Sequence, residues 1–158
     1  MTSAAVLTVS DRGAAGTRAD TAGPLAVAAL REAGFDCADP VIIPDGADAV
    51  EQALHELLAR GLRLIVTTGG TGIAARDETP EGTARVLERQ LPGIPEELRR
   101  QGAARFPAAM LSRGLAGTAQ GALIVNLPGS PGGVADGMPI ILSVAEHVIA
   151  QLDGEDHR

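Results

Sequence analysis

Thr67-Thr68-Gly69-Gly70-Thr71-Gly72 is the segment of this chain best suited to hold an anion. Glycines let a ligand approach the backbone closely, and successive amides in such a loop bind phosphate oxygens. Thr68 and Thr71 add hydroxyl donors. The spacing is not G-x-G-x-x-G, so a dinucleotide fingerprint is absent. Asp77 follows in Arg76-Asp77-Glu78-Thr79-Pro80. A carboxylate just beyond a phosphate loop can hold Mg²⁺ against a triphosphate. Asp45, after Pro44, is a second candidate metal ligand, and Asp11, after Ser10, a weaker third that also suits a surface turn. A second glycine-rich loop contains Pro128, Gly129, Ser130 and Pro131. Its prolines stiffen it and its glycines free the backbone, as a wall for a planar ring or a phosphate requires. Ser112 and Arg113 complete the polar candidates. The chain has no Lys, so Arg must neutralise any anionic ligand, and Arg12, Arg18, Arg76 and Arg113 fall near expected loops. His55, His147 and His157 have no partners at metal-ligand spacing, and Cys37 with the scattered serines forms no nucleophile triad.

These residues need elements to bring them together. Apolar runs at Ala4–Val9, Val41–Ile43 and Leu62–Thr67 read as buried strands. Helices are expected from Asp20 or Thr21 to Ala33 and from Asp48 to Arg60. Others are expected from Pro80 to before Pro92, from Pro95, and from Pro139 to Leu152. Val50, Leu54, Leu57 and Leu58 mark one helical face. Two apolar stretches around Thr118–Gly121 predict a hairpin. The pattern implies a three-layer α/β domain: a mostly parallel central sheet, helices on both faces and a small antiparallel excursion. Ligands of such folds bind outside the carboxyl ends of the strands. Ser10 and Asp11, Pro44 and Asp45, Gly69–Gly72, and Pro128–Pro131 each follow a strand, so they are expected on one rim.

Composition bounds the function further. The 158 residues imply one domain over 1–152 with a polar tail over 153–158. The net charge of −7 argues against nucleic acid, whose phosphates an acidic surface repels. Without Lys there is no Walker-A loop and no lysine Schiff base. Phe35 and Phe106 are the only Phe, Tyr or Trp residues, too few to stack successive bases. One unpaired cysteine fits a reducing cytoplasm. No run of about 18 apolar residues occurs, so no membrane span is expected.

Taken in order, the motifs resemble the MoaB/Mog family of molybdenum-cofactor biosynthesis proteins, the molybdopterin adenylyltransferases. The matching segments are Thr8–Arg12, Asp20–Pro24, Ile43–Asp45, Thr67–Gly72, Arg76–Pro80, Pro92–Glu96, Leu111–Arg113 and Asn126–Pro131. The resemblance implies a single α/β domain, commonly a homotrimer, that uses ATP to adenylate the terminal phosphate of molybdopterin and releases pyrophosphate. It implies Mg²⁺ binding and catalysis by Asp45 and Asp77. It also implies nucleotide and pterin binding by the two glycine-rich loops, and a molybdenum-insertion protein as a partner. A non-catalytic molybdopterin carrier of the same fold is the rival reading. The presence of both Asp45 and Asp77 favours the enzyme.

Overall fold

A computed structural model of the chain describes residues 1–155. Its strands are β1 (Ser3–Val9), β2 (Asp36–Cys37), β3 (Val41–Ile43), β4 (Leu64–Thr68), β5 (Arg89–Gln90), β6 (Ala116–Ala119) and β7 (Ala122–Leu127). They form one sheet in the order β2-β1-β4-β7-β6-β5, with β3 also beside β1. The pairs of β1 with β2, β3 and β4, and of β4 with β7, are parallel; β6 runs antiparallel to both β7 and β5. The helices are α1 (Asp11–Ala14), α2 (Ala22–Glu32), α3 (Ala47–Ala59), α4 (Thr79–Ala84), α5 (Gly93–Arg105) and α6 (Pro131–Leu152), with a 3₁₀ turn at Pro107–Leu111.

Alternation along the strands builds two cores. Ala4, Val6, Leu64, Val66, Leu123, Val125 and Leu127 face α2 and α6. Leu7, Val9, Ile65 and Ile124 face α3, whose Val50, Leu54, Leu57 and Leu58 form the anticipated stripe. Both faces of the central strands are therefore dry, which is why they read as continuous apolar runs. The hairpin turns at Gln120 and Gly121, both at positive φ, as a two-residue connection that follows strand twist requires.

Several boundaries differ from expectation. The last helix starts at Pro131, not Pro139. Ser130 caps it, its Oγ accepting from Gly133 N at 3.1 Å, and Pro131 takes the first helical position, where a missing N–H costs nothing. Pro139 is accommodated inside the helix. The helix at Pro80 ends by Ala84, because the chain turns to pair β5 with β6. Asp48 does not cap α3; Gly46 holds that position, and Glu78 instead accepts from Ala47 N at 2.9 Å. The short strands β2 and β5 have no counterpart in the sequence pattern, since two residues carry no periodicity. With 22 residues, α6 is long and apolar enough to span a membrane by composition, but here Val134, Met138, Ile141, Ala145 and Ile149 spend its apolar stripe on the core. Of the expected polar tail, residues 156–158 lie outside the described residues, His157 among them.

Candidate functional site

The carboxyl ends of β3, β1, β4 and β7 lie side by side, and the four expected segments leave from that one rim. Ser10 caps α1, its Oγ accepting from Gly13 N at 3.0 Å, which sets Asp11 at the helix start. Asp11 and Asp45 then bind each other's backbone. Asp11 N donates to Asp45 Oδ2 at 2.9 Å, and Asp45 N donates to Asp11 Oδ1 at 3.1 Å. Arg76 closes the group, giving Nε to Asp11 Oδ2 (3.0 Å) and Nη2 to Asp11 Oδ1 (2.9 Å) and to the Asp45 carbonyl (2.9 Å). This guanidinium holds the Asp11 carboxyl below its ordinary pKa. Asp45 moves the other way. Burial raises its pKa most, and the nearby Asp11 and Asp77 carboxylates push it further, against the Asp11 amide and Arg76. Burial and two neighbouring carboxylates thus make the charged form of Asp45 costly, and the Asp11 amide and Arg76 offset only part of that cost.

The loop after β4 threads between that acidic group and a cleft. Gly69 is at φ 99°, and a Cβ there would stand 2.3 Å from the Val9 carbonyl oxygen. Gly70, at φ 69°, would place a Cβ 2.2 Å from Thr79 Oγ1 and 3.3 Å from Asp45 Oδ1. Neither position tolerates a side chain. Thr79 pins the loop from α4, with its Oγ1 donating to the Gly69 carbonyl (2.9 Å) and its N donating to the Gly70 carbonyl (3.1 Å). The Gly69 amide is spent on the Leu127 carbonyl at 3.0 Å. The amides of Gly70, Thr71 and Gly72 make none of the hydrogen bonds found among the described residues. Three consecutive free N–H groups at a strand end can serve as an anion cradle. Thr68 Oγ1 is buried with no partner among those residues. Asp77 sits across the loop, its Oδ2 accepting from Ala74 N at 3.0 Å and lying 2.8 Å from where a Cβ on Gly72 would stand.

On the other side of the loop lies a cleft of about 690 Å³. Thr71, Gly72, Ser112, Pro128 and Ser130 line it; Gly129 packs behind, against Gly69. Its far wall is Leu98 and Arg99 of α5, Phe106, Leu111 of the 3₁₀ turn and Ile140 of α6. Asp45, Asp77 and Asp11 do not line it. The site therefore has an acidic half and an apolar half, joined at Gly70–Gly72.

Arg113 takes part without lining the cleft. Its guanidinium donates to the Gly72 carbonyl (2.9 Å), to the Asp77 carbonyl (2.7 Å) and to both oxygens of Glu81 (2.7 and 3.1 Å). Its own amide donates to the Thr71 carbonyl at 2.9 Å. It braces the loop that carries Asp77. Arg12 and Arg18 are exposed and line neither half. The cations that do line the cleft are Arg99 and Arg105. Sequence reasoning passes over them because it seeks cations in loops, and these ride on α5. It misses Asp136 and Phe106 too. For Arg99, Arg105 and the Phe106 that ends their helix, the signal is a helix with little apolar surface, Leu98 and Gly102 four residues apart on one face, which makes a poor core helix but a good cleft wall; Asp136 rides on α6, and its signal is a helix that begins at Ser130-Pro131.

Comparison with known proteins bears on the fold and the family. Residues 5–147 match a family described as a probable molybdopterin binding domain. A molybdenum cofactor biosynthesis bifunctional protein of Synechococcus elongatus is 36% identical over 98% of this chain and 48% of its own length. A molybdopterin adenylyltransferase of Haemophilus influenzae is 40% identical over 80% of this chain and 66% of its own. The crystal structure of the molybdopterin biosynthesis enzyme MoaB from Thermus thermophilus superposes with a TM-score of 0.90 at 39% identity, covering 100% of both chains. The chain spans about half the length of the curated bifunctional relatives it matches. With the family model covering most of the chain and its fold reproduced end to end, the chain belongs to the MoaB/Mog family of molybdenum-cofactor biosynthesis proteins.

Proposed function

We propose that this protein transfers AMP from ATP to the terminal phosphate of molybdopterin. The observation that carries the reading is the row of free amides at Gly70–Gly72, set between two carboxylates and a ring-sized cleft. A phosphate oxygen of molybdopterin forms the new bond to the α-phosphorus of ATP. The bond from that phosphorus to the β-phosphate oxygen breaks, and pyrophosphate leaves. The nucleophile is already ionised at neutral pH, so no side chain has to take its proton. Positioning and charge stabilisation supply the rate. The Gly70–Gly72 amides stabilise the negative charge of the reacting phosphates without reorganising, because Thr79 and Arg113 hold the loop carbonyls on its other side. Thr71 and Gly72 reach into the cleft, so a ring seated there presents its phosphate to the same amides.

Asp45 and Asp77 are the residues that would hold Mg²⁺. They suit it: both are oxygen donors, and Mg²⁺ uses one or two carboxylates beside substrate phosphates and keeps its own waters. A third carboxylate is not needed, and no cluster of three or more ligands occurs among the described residues. When bound, the ion would offset phosphate charge. We assign the protein to the cytoplasm, in keeping with its single unpaired Cys37. Its product passes to a molybdenum-insertion protein, and it assembles as a homotrimer that covers apolar side chains such as Val41 and Ile42, 45% and 40% exposed here.

The test is an adenylation assay with molybdopterin, ATP and Mg²⁺, beside a pterin-binding titration. Adenylylated molybdopterin should form, and Asp77→Asn and Asp45→Asn should each slow it by at least about a hundredfold while the protein stays folded. Tight molybdopterin binding without turnover would make the chain a carrier. No binding would overturn the reading altogether.

A further inference from the structure

Asp136 is the one carboxylate that lines the cleft. It lies in the second turn of α6, with its side chain 29% exposed. Oδ1 accepts from Arg105 Nη1 at 2.7 Å, and Oδ2 accepts no hydrogen bond among the described residues. Apart from Thr71 and Gly72 at the loop end, the other polar side chains of the cleft have partners. Asn126 gives both amide hydrogens to Thr67 and Thr83 and accepts from Leu115 N. Ser130 and Ser112 accept from Gly133 N and Gly114 N. Arg99 donates to the carbonyls of Ser112 and Gly114. Asp136 is left as the anionic acceptor with capacity to spare.

Leu98, Phe106, Leu111 and Ile140 give this carboxylate apolar walls. A flat heterocycle between such walls sheds water from its faces readily, but its edge groups must find partners. A 2-amino-4-oxopyrimidine edge carries two adjacent N–H donors, the exocyclic amine and ring N3. A carboxylate accepts both in parallel. Its oxygens have about four lone-pair sites, so Arg105 can keep its bond. An adenine edge offers a donor beside an acceptor, and the acceptor would face a carboxylate lone pair. We infer that Asp136, positioned by Arg105, recognises the 2-amino-4-oxopyrimidine edge of the pterin and so assigns the cleft between α5 and α6 to the pterin rather than to adenine. The inference rests on the pterin reading above.

The experiment titrates the full chain by calorimetry with three probes: pterin-6-carboxylate, lumazine-6-carboxylate, in which an oxo group replaces the 2-amino group, and MgATP. The wild type should bind the pterin about ten- to a hundredfold more tightly than the lumazine, because a charged hydrogen bond is lost and an acceptor meets an acceptor. Asp136→Asn should erase that preference and leave ATP affinity unchanged, and Asp136→Glu should restore part of it. Circular-dichroism melts check that each variant folds. A preference undiminished in Asp136→Asn overturns this inference alone. An equal loss of ATP affinity also overturns it, by giving the cleft to adenine. A wild type that binds ATP but neither heterocycle overturns the pterin reading with it.

Discussion

Asp45 and Arg113 show how single residues set the chemistry here. The Asp45 carboxyl has its pKa raised above 3.8, so protons compete with a cation for it across a window above that value. Affinity for MgATP should therefore rise with pH through that window, and an Arg76→Ala variant should shift the rise to higher pH, because the guanidinium helps keep Asp45 ionised. A calorimetric titration series checks both. In the metal-free chain the sign for stability is the opposite. The folded state binds this proton more tightly than the unfolded one, so the Asp45 contribution weakens as pH rises through the same window. Arg113 reads from sequence as a ligand-binding cation, and the structure places its guanidinium on Gly72, Asp77 and Glu81. Arg113→Ala should lower kcat by about a hundredfold through misplaced loop geometry, with a smaller effect on the KM for ATP. Arg113→Lys should rescue little, since one ammonium cannot reproduce the fork. Steady-state kinetics separate the two parameters. No spacing rule in the sequence distinguishes an arginine that binds a ligand from one that braces a loop; the distinction lies in which carbonyls stand within reach.

Elements are legible in proportion to their periodicity. The long strands β1, β4 and β7 and the helix α3 announce themselves through buried faces. β2 and β5 exist only because a neighbour offers a ladder edge, as Ser3 does for Asp36 and Gly117 for Gln90. In sequence Pro139 resembles a first-turn proline, although Ser130-Pro131 is the stronger start signal for α6. Starting the helix at Pro139 hides that the loop from Asn126 runs straight into a helix and that Asp136 is helical. Asn126 is the joint between β7, β4 and α4. Its side chain donates to Thr67 Oγ1 at 2.9 Å and to Thr83 Oγ1 at 3.0 Å, both buried, and accepts from the half-buried Leu115 N at 3.0 Å. Asn126→Ala leaves those groups unpaired and should cost about 3 kcal/mol. Urea unfolding should show a lower midpoint with an unchanged slope.

Across the whole molecule, a dry parallel sheet delivers four strand ends to one rim, and the rim divides into acidic and apolar halves. The proposed trimer predicts that light scattering gives a mass three times the 16.0 kDa of the chain, with Ile42→Lys, at the exposed edge strand β3, lowering it. The α/β layering is written in the chain itself, because apolar periodicity is a local property that burial must satisfy. So is the set of segments that leave the rim, because parallel strand ends in such a sheet face one way. The absence of Lys would leave the charge of any bound phosphate to arginines, amides and a metal ion before any folding is considered. How those groups divide their work emerges with the packing. Asp11 pairs with Arg76 over 65 positions, Arg113 braces a loop some 40 residues before it, and α5 rather than any glycine-rich motif walls the cleft. Such pairings depend on which side chains the finished packing brings within about 3 Å, a quantity that spacing along the chain does not carry.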